Sequence, residues 1–357
     1  MTTSALLLRL LSAALYLAAA VSLFFFLFNR WILFFKRSRT RSPAVLAAFA
    51  LLVSGALTAG WRTGWSPWLG LPVAVLAAFL VGEVCRLRLR RRLRGAPPVA
   101  LEKVAMAWHR PLTTTALAVA QYAIAAPRWP GGRLRVAHLS DLHLNGFLPD
   151  AYYERVMARV TQADPDLVLL TGDLICEPEF AAHLPRILGG LQSRLGLFAV
   201  LGNHDYWADA ELARAGLRQA GVRVLGNTSE RLTLPDGSRL LLGGCEVPWG
   251  DGQWTAPRIA PDELALALTH TGDNIYRLSL DGFAAVFAGH YHAGQLVVPW
   301  VGPLMVPSMY GRRFAHGHFV VNGAHFFVTA GIGTARIPWR IYCPPDLFLV
   351  DIRGARA

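Results

Sequence analysis

The stretch LRVAHLSDLH, residues 134–143, decides how this chain is read. Leu134–Leu139 is a short, mainly apolar run with the length of a strand. It stops at Ser140-Asp141-Leu142-His143, where the side chains suit metal chemistry better than a core. The same grammar recurs downstream. Leu167–Leu170 runs into Thr171-Gly172-Asp173, and Phe198–Leu201 into Gly202-Asn203-His204-Asp205. Leu264–Leu268 runs into Thr269-His270, and Ala284–Ala288 into Gly289-His290-Tyr291-His292. Helical patterns over Tyr152–Thr161, Pro185–Leu191 and Ala208–Gln219 lie between. Val222–Leu225 reads as a further strand, and a hairpin turns at Pro235-Asp236-Gly237. Strand–helix alternation of this kind implies an α/β fold, with its site at the strand ends.

The chemistry follows from the residue types. Alternate residues on an extended strand end share a face, so Asp141 and His143 can serve one ion, and His290 and His292 one ion or two neighbours. Gly172 and Gly202 allow sharp turns that bring Asp173 and Asn203 inward. Imidazole and oxygen donors without thiolate suit manganese, iron or zinc. Each fragment alone is weak, because Asn and Asp also make turns and a lone His is more often a core or surface residue. Five fragments in order, each closing a strand, are specific.

This pattern of Asp-x-His, Gly-Asp, Gly-Asn-His-Asp, His and Gly-His-x-His resembles the calcineurin-like metallophosphoesterases from about Arg133 onward. The resemblance implies a two-sheet β-sandwich flanked by helices and two divalent metal ions. It places Asp141, His143 and His292 on one ion, Asp173 as the bridge, and Asn203, His270 and His290 on the other. His204 then stands beside the phosphate as the catalytic residue. Separately from the resemblance, Asp205 is read as orienting that imidazole, with a surface turn carboxylate as the alternative. Two adjacent cations can activate water for in-line attack and clamp phosphoryl oxygens without a covalent enzyme intermediate. Gly294-Gln295-Leu296, Pro299, Gly331-Ile332-Gly333-Thr334 and Arg340 are similar to the bacterial YaeI/YkuE-type subgroup, itself similar to membrane-bound UDP-2,3-diacylglucosamine pyrophosphatases of the LpxG kind. Tyr291 and Ala293 depart from that subgroup's Thr-His-Gly, and Tyr291 is expected at the pocket rim. Arg340, with Arg312 and Arg313, is a candidate for binding phosphate, although solvated arginines are the plainer reading of the last two. Leu296–Met309 reads as a core-packing loop, with a membrane-facing or lipid-facing role as the alternative.

The amino-terminal part is of another kind. Ala5–Phe28, Ala44–Gly60 and Pro67–Val84 are apolar runs near the roughly 20 residues a bilayer needs. The chain's mean hydropathy of +0.35 fits a membrane segment joined to a globular domain. Up to Pro111 there are 15 Lys and Arg against Glu83 and Glu102, whereas the rest has 20 basic and 21 acidic residues. The net charge of +12 therefore belongs to the spans and not to a nucleic-acid groove. Lys36, Arg37 and Arg39 in the first loop, and Arg86–Arg94 after the third span, put the basic segments inside, leaving the catalytic domain cytoplasmic. Trp61, Trp65 and Trp68 are expected as interfacial anchors. The organisation read from this is a transmembrane segment over 1–96, a juxtamembrane linker helix over 97–111 and a metallophosphoesterase domain over 112–357. Leu112–Ala126 is read as a strand that opens the domain in a hairpin, with a fourth span as the alternative. Four scattered cysteines without Cys-x-x-Cys read as buried free thiols.

The expected function is a membrane-anchored hydrolase of a phosphodiester or pyrophosphate bond in a bacterial inner membrane. Its partners are the phospholipid bilayer and a phosphate ester, which the resemblance and the tethering imply is lipid-linked or a nucleotide-sugar; no nucleic acid is expected. A phosphomonoesterase or nucleotide phosphodiesterase is the alternative. An inactive scaffold would show a damaged ligand set, and a transporter would need polar residues inside its spans.

Overall fold

The computed structural model describes residues 2–30, 41–63, 66–102, 104, 109–250 and 252–355. Two compact units emerge: Met1–Arg92 with Met309–Arg313, and Leu93–Ser308 with Phe314–Ala357. The first holds α1 (Thr3–Arg30), α2 (Arg41–Thr63) and α3 (Gly70–Leu93). Windows at Thr3–Asn29, Ala44–Thr63 and Pro67–Leu93 are long and apolar enough to cross a membrane. Small residues let α1 and α2 approach closely: a Cβ on Gly60 would meet the Ala13 backbone at 2.5 Å. Arg9, the charge inside the first run, sits over the Trp61 ring at 5.9 Å. The basic loop residues Lys36, Arg37 and Arg39, and the anchor Trp65, lie outside the described residues.

The second unit begins with β1 (Ala100–Glu102), β2 (Ala118–Ala125) and β3 (Arg133–Leu139). A linker helix is therefore not what stands at 100–102; that segment pairs antiparallel with β2. Residues 103 and 105–108 of the expected helix lie outside the described residues. β2 is a strand, as read, but it makes no hairpin with β3. The strand between them comes from the far end of the sequence.

The chain then runs through α4 (Asp150–Gln162), β4 (Leu167–Thr171), α5 (Leu184–Leu188), β5 (Leu197–Val200), α6 (Asn203–Ala208), α7 (Ala210–Gln219) and β6 (Val222–Val224). Tyr152, Tyr153, Val156, Met157 and Val160 form the buried stripe of α4, spaced as one helical face requires. Every residue of β4 is buried, as expected of an interior parallel strand. The helix expected over Pro185–Leu191 is shorter, because Gly189-Gly190 cannot sustain it.

β7 (Ser229–Thr233) and β8 (Arg239–Cys245) form the hairpin around Pro235-Asp236-Gly237. There follow β9 (Glu263–Thr271), α8 (Ile275–Leu280), β10 (Ala285–Gly289), β11 (Val297–Val298), β12 (Gly302–Pro303), β13 (Gly317–Val321), β14 (Ala324–Val328) and β15 (Asp346–Arg353). One sheet has the order β1-β2-β15-β3-β4-β5-β6 and the other β13-β14-β10-β9-β8-β7. β15 runs parallel to β2 and antiparallel to β3. A core that includes Phe198, Leu266, Phe287, Phe327 and Phe348 contains buried residues from both sheets, and a second packs β3 and β4 against α4 and α7. The architecture is a two-sheet α/β sandwich flanked by helices. It brings the ends of β3, β4, β5 and β10 and the last turn of β9 to one edge.

Candidate metal centre

At that edge the backbone leaves its usual regions. Asp141 (φ 54°), His143 (45°), Asp173 (54°), His290 (69°) and His292 (50°) are all left-handed. Non-glycine residues take this conformation rarely, and such strain clusters at functional sites. Asp141 and His143 do converge, but not by strand alternation as the sequence suggested. β3 ends at Leu139, and two left-handed residues aim the side chains instead. Backbone bonds pin them there: Asp141 N–H donates to Gly172 O and His143 N–H to Asp173 O, each at 2.9 Å.

The glycines differ in role. Gly172 has φ 88° and makes the expected turn before Asp173. Gly202 is extended (φ −105°). What it supplies is room: a Cβ there would lie 2.3 Å from Asp173 Oδ1. That space lets α6 start against the Asp173 carboxylate, which accepts from His204 N–H at 2.7 Å.

Two buried triads result, each with its ligand atoms within 4.8 Å of one another: Asp141, His143 and His292; and Asp173, His270 and His290. In the first, His143 Nε2 lies 2.8 Å from His292 Nε2, which is 3.2 Å from Asp141 Oδ1. In the second, His270 Nε2 lies 3.2 Å from Asp173 Oδ2 and 3.0 Å from His290 Nδ1. Asp173 Oδ2 is also 3.4 Å from His143 Nε2, so one carboxylate oxygen touches both triads. Asn203 Oδ1 and His290 Nε2 are buried with no hydrogen-bond partner. Orphaned buried polar atoms are costly and ask for a ligand. A set of carboxylate, imidazole and amide donors fits a divalent cation of the manganese, iron or zinc type.

The surroundings orient the imidazoles. His270 Nδ1–H donates to Thr171 O at 2.7 Å, which turns Nε2 toward Asp173. His143 Nδ1 lies 3.1 Å from Cys176 Sγ, and that sulfur is 3.5 Å from His204 Nδ1. Trp249 packs over His270 and His290, at 5.6 and 5.1 Å. Burial opposes ionisation of Asp173, but His270 and His204 outweigh it and hold the carboxyl well below its ordinary range. Burial lowers the His270 pKa, yet Asp173 raises it to about 9. Burial dominates at His204 and His292, pushed down to about 3 and about 4.

Several expectations need correction. Asp205 does not orient His204. Its two oxygens accept from the N–H groups of Leu174, Ile175 and Gly202, tying the second and third ligand loops together. Arg340 is fully buried, and its guanidinium donates to the carbonyls of Ala330, Gly331 and Gly333. It holds a loop, and its Nη2 lies 3.2 Å from His292 Nδ1; it is not a phosphate binder. Arg312 is not merely solvated but pairs with Glu83. Tyr291 is buried with its hydroxyl donating to Asp273, away from any rim. Cys85 is exposed and Cys176 half-buried, so only Cys245 and Cys343 are the buried thiols expected. Cys176 beside two site histidines was not foreseen. Its place in Gly-Asp-Leu-Ile-Cys, three residues after Asp173, was the available signal.

Comparison with known proteins agrees with this geometry. The calcineurin-like phosphoesterase family matches residues 134–294. The uncharacterized metallophosphoesterase YkuE of Bacillus subtilis is 25% identical over 227 residues, 62% of this chain and 79% of that protein. Phosphodiesterase YaeI of Escherichia coli is 28% identical over 225 residues, 61% of this chain and 82% of that protein. UDP-2,3-diacylglucosamine pyrophosphatase LpxG of Chlamydia trachomatis is 43% identical over 216 residues, 47% of this chain and 66% of that protein. The chain carries a calcineurin-like metallophosphoesterase domain, preceded by helices able to span a membrane, and is a phosphoric ester hydrolase.

Proposed function

We propose that the chain is a membrane-anchored, dinuclear metal-dependent hydrolase of a phosphodiester or pyrophosphate bond. The observation that carries the dinuclear reading is the Asp173 carboxylate, one oxygen of which lies between His143 and His270. Asp141, His143 and His292 would hold one divalent ion, Asn203, His270 and His290 the other, with Asp173 shared. When bound, the ions supply Lewis-acid activation of water and neutralise phosphoryl charge. His204 is offered to the substrate beside them: its ring packs edge-on against His143 at 4.6 Å and against Trp207 at 5.0 Å. A neutral imidazole there can donate a hydrogen bond to a phosphoryl oxygen or to the leaving oxygen as charge develops on it.

The substrate class is argued from likeness to LpxG and YaeI and from the apolar helices: a lipid-linked phosphodiester or a nucleotide-diphosphate acylated sugar. The basic segments beside the helices support a multi-pass inner-membrane protein with its catalytic domain on the cytoplasmic side. The test uses the full-length chain in detergent with bis-p-nitrophenyl phosphate, with and without manganese, alongside metal analysis. Two ions per chain and metal-dependent diester cleavage are expected. Folded protein that binds no metal would sink the dinuclear reading, and cleavage of p-nitrophenyl phosphate alone would move the assignment to a phosphomonoesterase. A reporter fused at the carboxyl end tests the side of the membrane; signal from outside only would overturn the cytoplasmic placement.

A further inference from the structure

Beyond the metal loops, a small separate sheet stands on the segment that follows His292. β11 and β12 pair antiparallel. Val297 N–H donates to Ile341 O and Ile341 N–H to Gln295 O, both at 3.0 Å, and Tyr342 N–H donates to Pro111 O at 2.8 Å. Residues 111–112, 340–342 and 295–298 therefore lie side by side. The surface they present is not core. Trp300, at the tip of the β11–β12 turn, is 102% exposed; Leu112, Val301 and Trp339 are 64%, 56% and 55% exposed. The core-packing role read for Leu296–Met309 thus does not extend to this tip. An exposed indole at a hairpin tip, flanked by the exposed Val298 and Val301, marks an interaction surface, because water gains when it is covered.

The patch is rigid. Gln295 Nε2 donates to the carbonyls of Ala335, Ile337 and Trp339, and Gln295 Oε1 accepts from Ala335 N–H. A single amide thus clamps the Trp339 loop to the base of the Trp300 hairpin. Its charge is one-sided. The loops that build the face, residues 295–304 and 334–342, contain no Asp or Glu. Arg336, three residues before Trp339, is exposed. Tryptophans with arginine and no acid match the interfacial layer of an anionic bilayer, where indole rings settle at headgroup level and cations meet lipid phosphates. Three apolar helices on the same chain would keep such a surface at high effective concentration.

We propose that this face docks into the interfacial layer of an anionic phospholipid bilayer, with Trp300 as its inserting side chain. The inference rests on the membrane anchoring and not on the metal chemistry. The experiment needs no turnover, so failure of one reading is distinguishable from failure of the other. Full-length wild-type and Trp300→Phe chains are placed in nanodiscs of mixed phosphatidylglycerol and phosphatidylcholine, with ordinary or brominated acyl chains. The difference between their emission spectra isolates Trp300. The expected result is blue-shifted difference emission that brominated chains quench and aqueous iodide does not. A Val301→Asp chain, read against Val301→Asp/Trp300→Phe, should keep its turnover of a water-soluble diester while the Trp300 difference emission shifts red and opens to iodide. Red-shifted emission open to iodide from the wild-type pair overturns the proposal. So does emission shielded from iodide yet insensitive to brominated lipid, as a second copy of the chain would produce. Equal quenching in pure phosphatidylcholine discs overturns the anionic preference.

Discussion

The two ligand triads face each other across Asp173, yet they are held by different means. In the Asp173, His270 and His290 triad, His270 belongs to the end of β9, and a backbone carbonyl, Thr171 O, fixes its ring. In the Asp141, His143 and His292 triad all three residues stand in left-handed loop conformations, and their rings meet side chains, Cys176 and Arg340. A carbonyl in a sheet cannot be removed by substitution and barely moves. A thiol or guanidinium can be lost or displaced. The contrast lies in one ligand: Asp173 and His290 are left-handed like the whole of the first triad, and His270 alone is anchored by a strand and a backbone carbonyl.

The largest expected effect breaks the contrast by striking both halves. Asp173→Asn should abolish the second ion and weaken the first, with turnover down by well over the roughly 100-fold upper figure for losing an outer-shell partner. Metal analysis and diester cleavage check this; unchanged occupancy of both ions would refute the bridge. His204→Ala should touch neither triad's metal content yet lower kcat by about 10²–10³-fold, the usual range for losing a hydrogen-bond donor aimed at developing charge. Loss of metal in that variant would mean that His204 is itself a ligand.

Cys176→Ala sharpens the comparison. It removes the contact to His143 Nδ1 and should weaken one metal by about 10–100-fold while sparing the other. Calorimetric titration with manganese should then show two unequal sites where the parent shows closer ones. Equal weakening of both would erase the distinction drawn between the triads.

The smallest effect lies at the opposite end of β3. There Arg133 and Arg135 pair with Asp351 of β15. Burial would raise the Asp351 pKa, but hydrogen bonds from Arg135 and Arg133 outweigh it and hold it below its ordinary value. Its stabilisation is therefore present above about pH 4, where the unfolded carboxyl is already ionised, and is lost as pH falls through the lower folded value. Because the pairs are partly exposed, Asp351→Asn should cost about 1 kcal/mol or less at pH 7 and nothing at strongly acid pH. Chemical denaturation at the two pH values checks the sign.

How much was legible follows the same division. The strands that carry the ligands could be read because each is a short apolar run closed by polar residues. Burial on both faces imposes that pattern locally. Even the grouping of Asp141 with His143 and His292 came with the motif order. The means of convergence did not. A left-handed aspartate or histidine has no side-chain signature, since the surrounding bonds hold it there and not its own preference. Nor could Asp205 be placed: a carboxylate after Asn-His looks the same whether it faces an imidazole or three amides. Partners distant in sequence were the other blind spot. Nothing in Ala118–Ala125 says that its neighbour is Asp346–Arg353 and not Arg133–Leu139, because a strand's pattern gives its faces and not its edges. The exposed Trp300 had been covered only by the alternative to a core-packing loop, since an apolar residue reads as core until the fold leaves it outside.

That insertion of β15 between β2 and β3 has a consequence during synthesis. The first sheet has an open slot until the residues after Asp346 leave the ribosome, long after α1–α3 have emerged. Until then β2 and β3 each present an unpaired edge, the kind of surface that captures stray strands. The nascent domain thus waits, unable to zip its central seam.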